Sequence, residues 1–107
     1  MKSASANNES FKSLSDFYVF YLKEHSNAMC RRLHFVGSVL TLLVLFYALF
    51  SQSYGWLFCL PLIGYSFAWI GHFVFEKNKP ATFKHPFYSF VCDWMMFKDI
   101  FIGKIAW

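Results

Sequence analysis

The sequence is poor in charged residues, and its few cysteines form no recognisable pattern. Only 15% of the 107 residues are charged, against roughly 25% in an ordinary soluble domain. The three cysteines are odd in number, widely spaced and without a CxxC pair, which excludes a disulfide framework and a zinc motif. Residues 1–10 lack the apolar core of a signal peptide, and we expect them to form a disordered leader. We expect residues 11–107 to form a single domain.

Apolar residues are abundant instead, since 57% of the chain is hydrophobic and 23% is aromatic. A soluble chain of this size has mostly surface to cover and cannot bury so much apolar area. The composition therefore favours a membrane protein, and a soluble three-helix bundle is the least favoured fold. The net charge of +4 predicts no nucleic-acid partner, because the basic residues form no stripe among exposed polar ones.

Two long apolar runs predict a hairpin of transmembrane helices in an all-α membrane protein. Residues 33–50 contain no formally charged residue, and residues 54–75 form a second run. About 20 residues, rising ~1.5 Å each, are needed to cross a hydrocarbon core of ~30 Å. The polar triplet Ser51-Gln52-Ser53 makes the turn, and Pro61 is expected to kink the second helix.

A further helix is expected on each side of the hairpin. Residues 11–31 have the pattern of an amphipathic helix on the membrane surface, with Ser15 or Asp16 as N-cap. Residues 87–102 are apolar but interrupted by charges, so an interfacial or re-entrant helix is favoured over a third span. The interrupting residues are Asp93, Lys98 and Asp99.

The basic residues predict the orientation of the hairpin. They precede the first run and follow the second, and the turn contains none; they are Lys2, Lys12, Lys23, Arg31, Arg32, Lys77, Lys79 and Lys84. The positive-inside rule then places both ends of the hairpin in the cytoplasm and brings His34 and His72 to the same leaflet. The short chain favours a bacterial inner membrane, or the endoplasmic reticulum in a eukaryote. The oligomeric state is not predicted.

Both histidines head stripes of small or polar residues. His34 is followed by Ser38 and Thr41 on one helical face, and His72 belongs to a four-residue repeat of Gly64, Ala68, His72 and Glu76. An ionisable residue within a membrane span is a functional-site hypothesis by default. His72 and Glu76, one turn apart, can bind one metal ion or pair with each other through a hydrogen bond.

A third histidine, His25, joins this pair only under a geometric condition. It precedes His34 by nine residues, which on an unbroken helix is about 900°, half a turn out of phase, with ~13 Å of rise. The two share a metal only if the chain bends between them. A bend near Ser26-Asn27 is expected because both side chains compete for backbone hydrogen bonds. Otherwise His25 lies behind the ligands as a supporting group.

Two segments carry a family resemblance. HSNAMCRRLHFVG and GYSFAWIGHFVFEKNKPATFKHP resemble the signature blocks of the domain-of-unknown-function 962 family, and the resemblance extends from residue 17 to about 103. It implies a membrane-embedded, Fe(II)-dependent dioxygenase that uses molecular oxygen to shorten long-chain 2-hydroxy fatty acids by one carbon in α-oxidation. It implies His25, His34 and His72 as metal ligands, with Glu76 as the catalytic residue: fourth ligand, base or orienting group.

The chain also departs from the family pattern. Ala28 and Cys30 stand where proline and asparagine are usual, which leaves metal binding possible but changes the surroundings of the substrate. His85 replaces a usual aromatic residue and is expected to be a loop histidine. We assign Arg31, Arg32 and Asn27 to substrate binding, since an arginine can pair with the fatty-acid carboxylate. Alternatively, the two arginines only set the topology.

Two other functions remain open at this point. His34 and His72 suit the axial ligands of a haem-binding electron carrier, with one histidine from each facing helix. In a non-enzymatic membrane adaptor, the histidines would instead form hydrogen bonds across the helix contact and bind no metal.

Overall fold

The computed structural model describes residues 11–107, and every regular element in this range is a helix. The elements are α1 (Leu14–Lys23), α2 (Ala28–Phe50), a 3₁₀ segment (Tyr54–Phe58), α3 (Cys59–Ile70), a π-helical segment (Gly71–Glu76), a 3₁₀ turn (Ala81–Phe83) and α4 (Pro86–Phe101). The predicted all-α fold is confirmed. The predicted leader, residues 1–10, lies outside the described residues.

Helix α1 is shorter than predicted, and its N-cap precedes the two predicted N-cap residues. Its N-cap is Ser13, whose hydroxyl accepts a hydrogen bond from the Asp16 backbone N–H at 3.2 Å. The predicted caps at Ser15 and Asp16 are therefore wrong, and Asp16 lies in the first turn, where its charge is favourable to the helix dipole. The single helix predicted over residues 11–31 is also wrong, because the chain leaves the helical path after Lys23.

Helix α2 begins at Ala28, five residues before the predicted start of the first span. Asn27 caps it: the side-chain oxygen accepts hydrogen bonds from the backbone N–H groups of Met29 at 2.8 Å and Cys30 at 3.3 Å. The helix contains 23 residues and ends at Phe50, where the polar turn begins with Ser51 as C-cap. By length and composition, α2 is able to cross a membrane.

The second predicted span is one helical stretch of three types, from Tyr54 to Glu76. Its 23 residues also meet the length and hydropathy expected of a membrane helix. The helix changes from 3₁₀ to α geometry at Cys59, two residues before Pro61, and the kink predicted at Pro61 stays a prediction. Pro61 lies in the first turn of α3, where a missing backbone N–H costs least.

Helix α4 packs α1 against the base of the hairpin. The buried core between them consists of Phe17, Tyr21, Cys92, Met96 and Ile100. With 16 residues, α4 is about 24 Å long, which is shorter than a hydrocarbon core of ~30 Å. The interfacial position that the charges predict for this helix stays a prediction.

Helices α2 and α3 approach each other closely through a glycine. A Cβ atom on Gly37 would lie 2.8 Å from the Cβ atom of Phe67, which no side chain tolerates. Small residues allow this approach, as is usual between membrane helices. The two helices therefore run side by side and bring His34 and His72 to one end of the hairpin.

Candidate metal centre

Three histidines that lie far apart in the sequence meet in one buried cluster. The ring centroids are 4.5 Å apart for His25 and His34, 4.4 Å for His25 and His72, and 5.0 Å for His34 and His72. All three are buried, with 1%, 8% and 2% of their surfaces exposed, respectively. The structure thus brings together the three residues that the sequence analysis selects as ligands.

The required break between His25 and His34 is present. Helix α1 ends at Lys23 and α2 begins at Ala28, so residues 24–27 turn the chain back toward the hairpin. Arg31 fixes this turn, because one guanidinium nitrogen donates to the carbonyl oxygens of His25 at 3.0 Å and Ser26 at 2.8 Å. The turn cancels the half-turn phase difference that a straight helix would impose.

His72 lies in the π-helical segment at the end of the second span. Such wide turns are rare and occur frequently at functional sites. The segment ends at Glu76, and its C-cap Lys77 has a positive φ of 62° that reverses the chain. Asn78 therefore folds back, and its N–H donates to the His72 carbonyl at 3.0 Å. Asn78 thereby comes to lie beside the His72 ring.

Each imidazole is held by an acceptor at its Nδ1 atom. The His25 Nδ1 lies 2.7 Å from the Tyr21 carbonyl oxygen, and the His34 Nδ1 lies 2.9 Å from the Cys30 carbonyl oxygen. The His72 Nδ1 lies 2.7 Å from the Asn78 side-chain oxygen. The carbonyl contacts require protonated Nδ1 atoms in His25 and His34, because a carbonyl oxygen only accepts.

The orientation of Asn78 is fixed independently of His72. Its amide nitrogen lies 3.1 Å from the Glu24 carbonyl oxygen and 3.2 Å from a Glu24 carboxylate oxygen. Because both of those atoms are acceptors, the amide nitrogen must face Glu24 and the amide oxygen must face His72. The Nδ1 of His72 is therefore also a donor.

With all three Nδ1 atoms protonated, each neutral imidazole keeps a bare lone pair on Nε2. The Nε2 atoms of His25 and His34 are only 3.2 Å apart, so two lone pairs face each other without a proton to share. Burial lowers the pKa of His25 well below its ordinary value, with a further contribution from the charges of His34 and His72, so protonation does not relieve this contact. A bound cation would relieve it.

The donor set fits a metal ion. One ligand atom from each of His25, His34, His72 and Cys30 can be chosen so that all four lie within 4.8 Å of one another. Neutral imidazoles are ligands for zinc, copper, iron and nickel, and an acceptor behind each ring fixes its tautomer and direction. Cys30, which departs from the family pattern, is buried here with Sγ 3.8 Å from the His34 Nδ1.

Glu76 lies beside this cluster but outside the group of potential donors among residues 11–107. Its two carboxylate oxygens accept hydrogen bonds from the Asn27 backbone N–H at 2.7 Å and the Ser26 hydroxyl at 2.8 Å. Asn27 also donates from its side chain to the Phe75 carbonyl at 3.3 Å. Glu76 and Asn27 thus join the end of the second span to the turn between His25 and His34.

The two arginines have different surroundings. Arg31 is used by the chain itself, because Nε donates to the Ala106 carbonyl at 3.2 Å in addition to the two bonds at the turn. Arg32 lies over the Trp107 ring, 5.6 Å from its centroid, in a cation–π arrangement. His85 lies apart from the cluster and packs against Phe11 and Phe17.

A cavity of about 340 Å³ begins at His34 and runs between the hairpin and α4. Most of its wall is apolar, and the polar side chains are His34, Ser38, Thr41, Tyr65 and Asp93. On α2 it extends from His34 to Leu45, an axial rise of about 16 Å. Among the lining residues of the described range, Arg31, Arg32 and Asn27 do not occur.

Tyr21 and Asp93 connect this cavity to the histidines. The Tyr21 ring stacks on His25 with centroids 4.0 Å apart, and its hydroxyl donates to Asp93 Oδ1. Burial raises the pKa of Asp93 to about 7, although the hydrogen bond from Tyr21 lowers it. Burial and the nearby Asp93 also raise the pKa of Tyr21.

Sequence reasoning did not predict contacts of Tyr21, Asn78 or Asp93 at the histidine cluster. Tyr21 precedes His25 by four residues, a helical spacing that points to a backbone contact but not to Asp93. Asn78 follows His72 by six residues, and only the left-handed turn at Lys77 brings them together. The pattern of apolar residues gives no signal for either pairing.

The fold and the cluster define a small all-helical protein with a buried centre of three neutral histidines. The family described as 2-hydroxy-palmitic acid dioxygenase Mpo1-like matches residues 11–105, and the chain belongs to this family. The resemblance predicted from the two signature blocks is thereby confirmed. No curated protein and no solved structure matches the chain significantly.

Proposed function

We propose that the protein is an Fe(II)-dependent dioxygenase that acts on long-chain 2-hydroxy fatty acids. The observation that carries the proposal is the convergence of three imidazoles whose Nδ1 atoms are already committed to acceptors. Three histidine ligands leave coordination positions open, as oxygen-activating iron centres require. Bound ferrous iron would supply the redox chemistry that activates dioxygen, and membership of the dioxygenase family favours iron over the other metals that imidazole binds.

The surrounding residues prepare the site. The carbonyl oxygens of Tyr21 and Cys30 and the amide of Asn78 hold the rings in the ligating tautomer. Burial of the three rings excludes bulk water. Of the three roles predicted for Glu76, its contacts support the orienting one, because it holds the turn that carries His25 through Ser26 and Asn27.

The cavity suits the substrate tail. A fully extended chain advances roughly 1.2 Å per bond, so the ~16 Å between His34 and Leu45 corresponds to about 13 bonds of an acyl chain. The volume of about 340 Å³ lies within the range of roughly 300–1,000 Å³ that small-molecule pockets occupy. The substrate head would lie at the histidine end. The bonds of Arg31 and Asn27 favour structural roles for them. Arg32 lies over Trp107 and does not line the cavity, so its predicted contact with the carboxylate stays a prediction.

The overall reaction balances without a further reductant. Cleavage of the bond between carbons 1 and 2 of a 2-hydroxy acid by one O₂ gives a fatty acid one carbon shorter, carbon dioxide and water. The substrate supplies the four electrons that reduce O₂. The predicted one-carbon shortening therefore needs only the fatty acid and oxygen.

We further propose that the hairpin spans a membrane with both ends in the cytoplasm. Two helices of 23 residues support this, together with large apolar side chains exposed along them, such as Leu43, Phe50, Phe58 and Leu62. Lipid would cover these side chains. Helix α4 would lie at the interface, and the cavity would then open toward the hydrocarbon from which a fatty acid enters.

The geometry is less suited to haem. A haem would need His34 and His72 on opposite faces of a flat macrocycle, but the His25 ring lies 4.4–4.5 Å from both. The geometry also argues against a non-enzymatic adaptor. Hydrogen bonds between the histidines would need a proton on Nε2, but the single proton of each neutral ring is on Nδ1, where it bonds to an acceptor.

The test is anaerobic purification in detergent, followed by metal analysis and oxygen uptake with 2-hydroxypalmitic acid. We expect about one iron per chain, no haem absorption band, and oxygen consumption that requires the 2-hydroxy acid. Palmitic acid is the substrate control, and His85→Ala is the matched protein control because His85 lies outside the cluster. Absence of iron together with no substrate-dependent oxygen uptake would overturn the proposal.

A further inference from the structure

Asp93 is a carboxylate in the wall of an otherwise largely apolar cavity. It lies on α4 between Phe90 and Trp94, which line the same cavity, and His34 lines its end. Asp93 is half-buried, and a carboxylate among apolar residues is unfavourable unless it has a polar partner. A ligand in the cavity could therefore contact the Asp93 side chain.

Among the described residues, one of the two Asp93 oxygens has a hydrogen-bond partner and the other has none. Tyr21 donates its hydroxyl to Oδ1, and among residues 11–107 no donor bonds Oδ2. The Tyr21 ring is itself fixed by stacking on His25, with centroids 4.0 Å apart. The carboxylate is therefore held one side chain away from the metal centre, with one acceptor atom left for a ligand.

We infer that Asp93 accepts a hydrogen bond from the 2-hydroxyl group of the substrate and selects 2-hydroxy acids over unsubstituted fatty acids. This inference rests on the proposed function. The substrate has one hydroxyl donor, on the carbon next to its carboxylate, and Asp93 offers an acceptor next to the histidines. An unsubstituted acid would leave that acceptor facing a methylene group, and a site built for a hydroxyl rejects such a ligand.

The two hydroxyl groups that α2 contributes to the cavity are less suited to this role. The Thr41 hydroxyl donates to the Gly37 carbonyl at 2.7 Å and is committed to its own helix. The Ser38 hydroxyl is a neutral group one helical turn from His34. Asp93 combines acceptor character with a position fixed by Tyr21, so it makes the stronger and more selective contact.

The molecule contains a matched pair of residues for comparison. Tyr18 donates to Asp99 Oδ2 at 2.6 Å, so a second tyrosine–aspartate bond joins α1 to α4. Asp99 does not line the cavity described for residues 11–107. The two pairs therefore share chemistry and helices and differ in access to the cavity.

The experiment uses two double variants, Tyr21→Phe/Asp93→Leu and Tyr18→Phe/Asp99→Leu, each purified with its metal. Replacing both partners by apolar residues of similar shape leaves no buried polar group unpaired, so both are expected to fold. Binding of 2-hydroxypalmitic acid and palmitic acid is measured for each protein by calorimetry in detergent. Tyr21→Phe alone serves as a second variant. It keeps Asp93 but removes the hydrogen bond that fixes the carboxylate, so we expect it to retain part of the preference that the double variant loses.

We expect the wild-type protein to prefer the 2-hydroxy acid, and the Tyr21→Phe/Asp93→Leu variant to lose about ten- to hundredfold of that preference. Its metal content and its affinity for palmitic acid should stay within about threefold, since they do not involve the hydroxyl. The Tyr18→Phe/Asp99→Leu variant should keep the wild-type preference. A purely structural role of Asp93 would change stability but not the ratio of the two affinities.

The inference is overturned if the Tyr21→Phe/Asp93→Leu variant keeps the preference, or if Ser38→Ala abolishes it instead. It is also overturned if the wild-type protein binds both acids equally. In the first two cases iron content and oxygen uptake by the wild-type protein remain intact, so the proposed function stands. Loss of the proposed function would be recognised separately, by the absence of iron and of substrate-dependent oxygen uptake in the wild-type protein.

Discussion

The two ends of the hairpin are built in different ways. At the histidine end, directional bonds hold the chain: all three imidazoles have Nδ1 partners, and Glu76 bonds Ser26 and Asn27. At the turn end, large apolar side chains project outward, with Phe50 84% and Phe58 87% exposed. One end is specified by hydrogen-bond geometry, whereas the other needs only to be apolar.

This difference indicates where the molecule is sensitive to change. A buried hydrogen-bonded group costs free energy when its partner is removed, because the group left behind stays unsatisfied. An exposed apolar side chain has no such partner, and another apolar residue replaces it with little effect. Substitutions of similar size should therefore have large effects at the histidine end and small effects at the turn end.

The largest effect is expected from removing a histidine of the cluster. His72→Ala leaves two of three imidazoles, and we expect metal affinity to fall by more than about a hundredfold, since loss of an outer partner alone costs 10–100-fold. Metal content after anaerobic purification measures this. His85→Ala should retain the metal because His85 packs against Phe11 and Phe17 instead. Equal metal content in the His72→Ala and His85→Ala variants would contradict the assignment of His72 as a metal ligand.

The next largest effect on metal affinity is expected at Asn78, which bonds the Nδ1 atom of His72. Asn78→Leu removes the acceptor of the His72 Nδ1 proton, so the ring can adopt the other tautomer and turn its lone pair away. We expect metal affinity to fall by about 10–100-fold. Asn78→Asp keeps an acceptor and should lose less. Metal titration of the metal-free protein measures both, and an unchanged affinity in Asn78→Leu would contradict the tautomer argument.

The same contrast explains how much of the molecule the sequence predicts. The two apolar runs and the choice of His34 and His72 follow from composition and helical period, which are local properties. The sequence also predicts that the chain must break before His34 if His25 and His34 are to share a metal. This requirement follows from residue spacing alone, because spacing fixes the angle between two residues on a helix. The N-cap of α1 at Ser13 is missed because several serines compete for the N-cap in that segment.

The remaining features of the site depend on contacts between distant residues. The bond from Asn27 to Glu76 crosses 49 positions, and the bond from Tyr21 to Asp93 crosses 72. No periodicity in a single segment encodes such a pairing. The π-helical segment at Gly71–Glu76 is equally hidden, since its residues read as a continuation of the apolar helix.

A smaller effect is expected from matched glycine substitutions. In Gly71→Ala, the new Cβ would lie 3.1 Å from Cys30 Sγ and 3.2 Å from Cys30 Cα, so the backbone of α2 must move. We expect a loss of about 1–3 kcal/mol in unfolding free energy. At Gly55, near the turn, a Cβ would meet no described atom within 4 Å, and Gly55→Ala should change stability little. Denaturation in detergent measures the unfolding free energy of both variants. Equal losses in Gly71→Ala and Gly55→Ala would contradict the claim that the histidine end is more sensitive to substitution than the turn end.

The smallest effect is expected from a phenylalanine at the turn end. Phe58→Leu replaces one exposed apolar side chain by another, so stability should change by less than about 0.5 kcal/mol, with metal content unaltered. The same substitution at Phe17, which is 0% exposed in the core beneath α1, should cost about 1–3 kcal/mol through misfit packing. Thermal unfolding of both variants in one detergent measures the difference. If Phe58→Leu were the more damaging, the turn end would have to be covered by a protein surface with its own packing, because lipid does not discriminate between two apolar side chains so strongly.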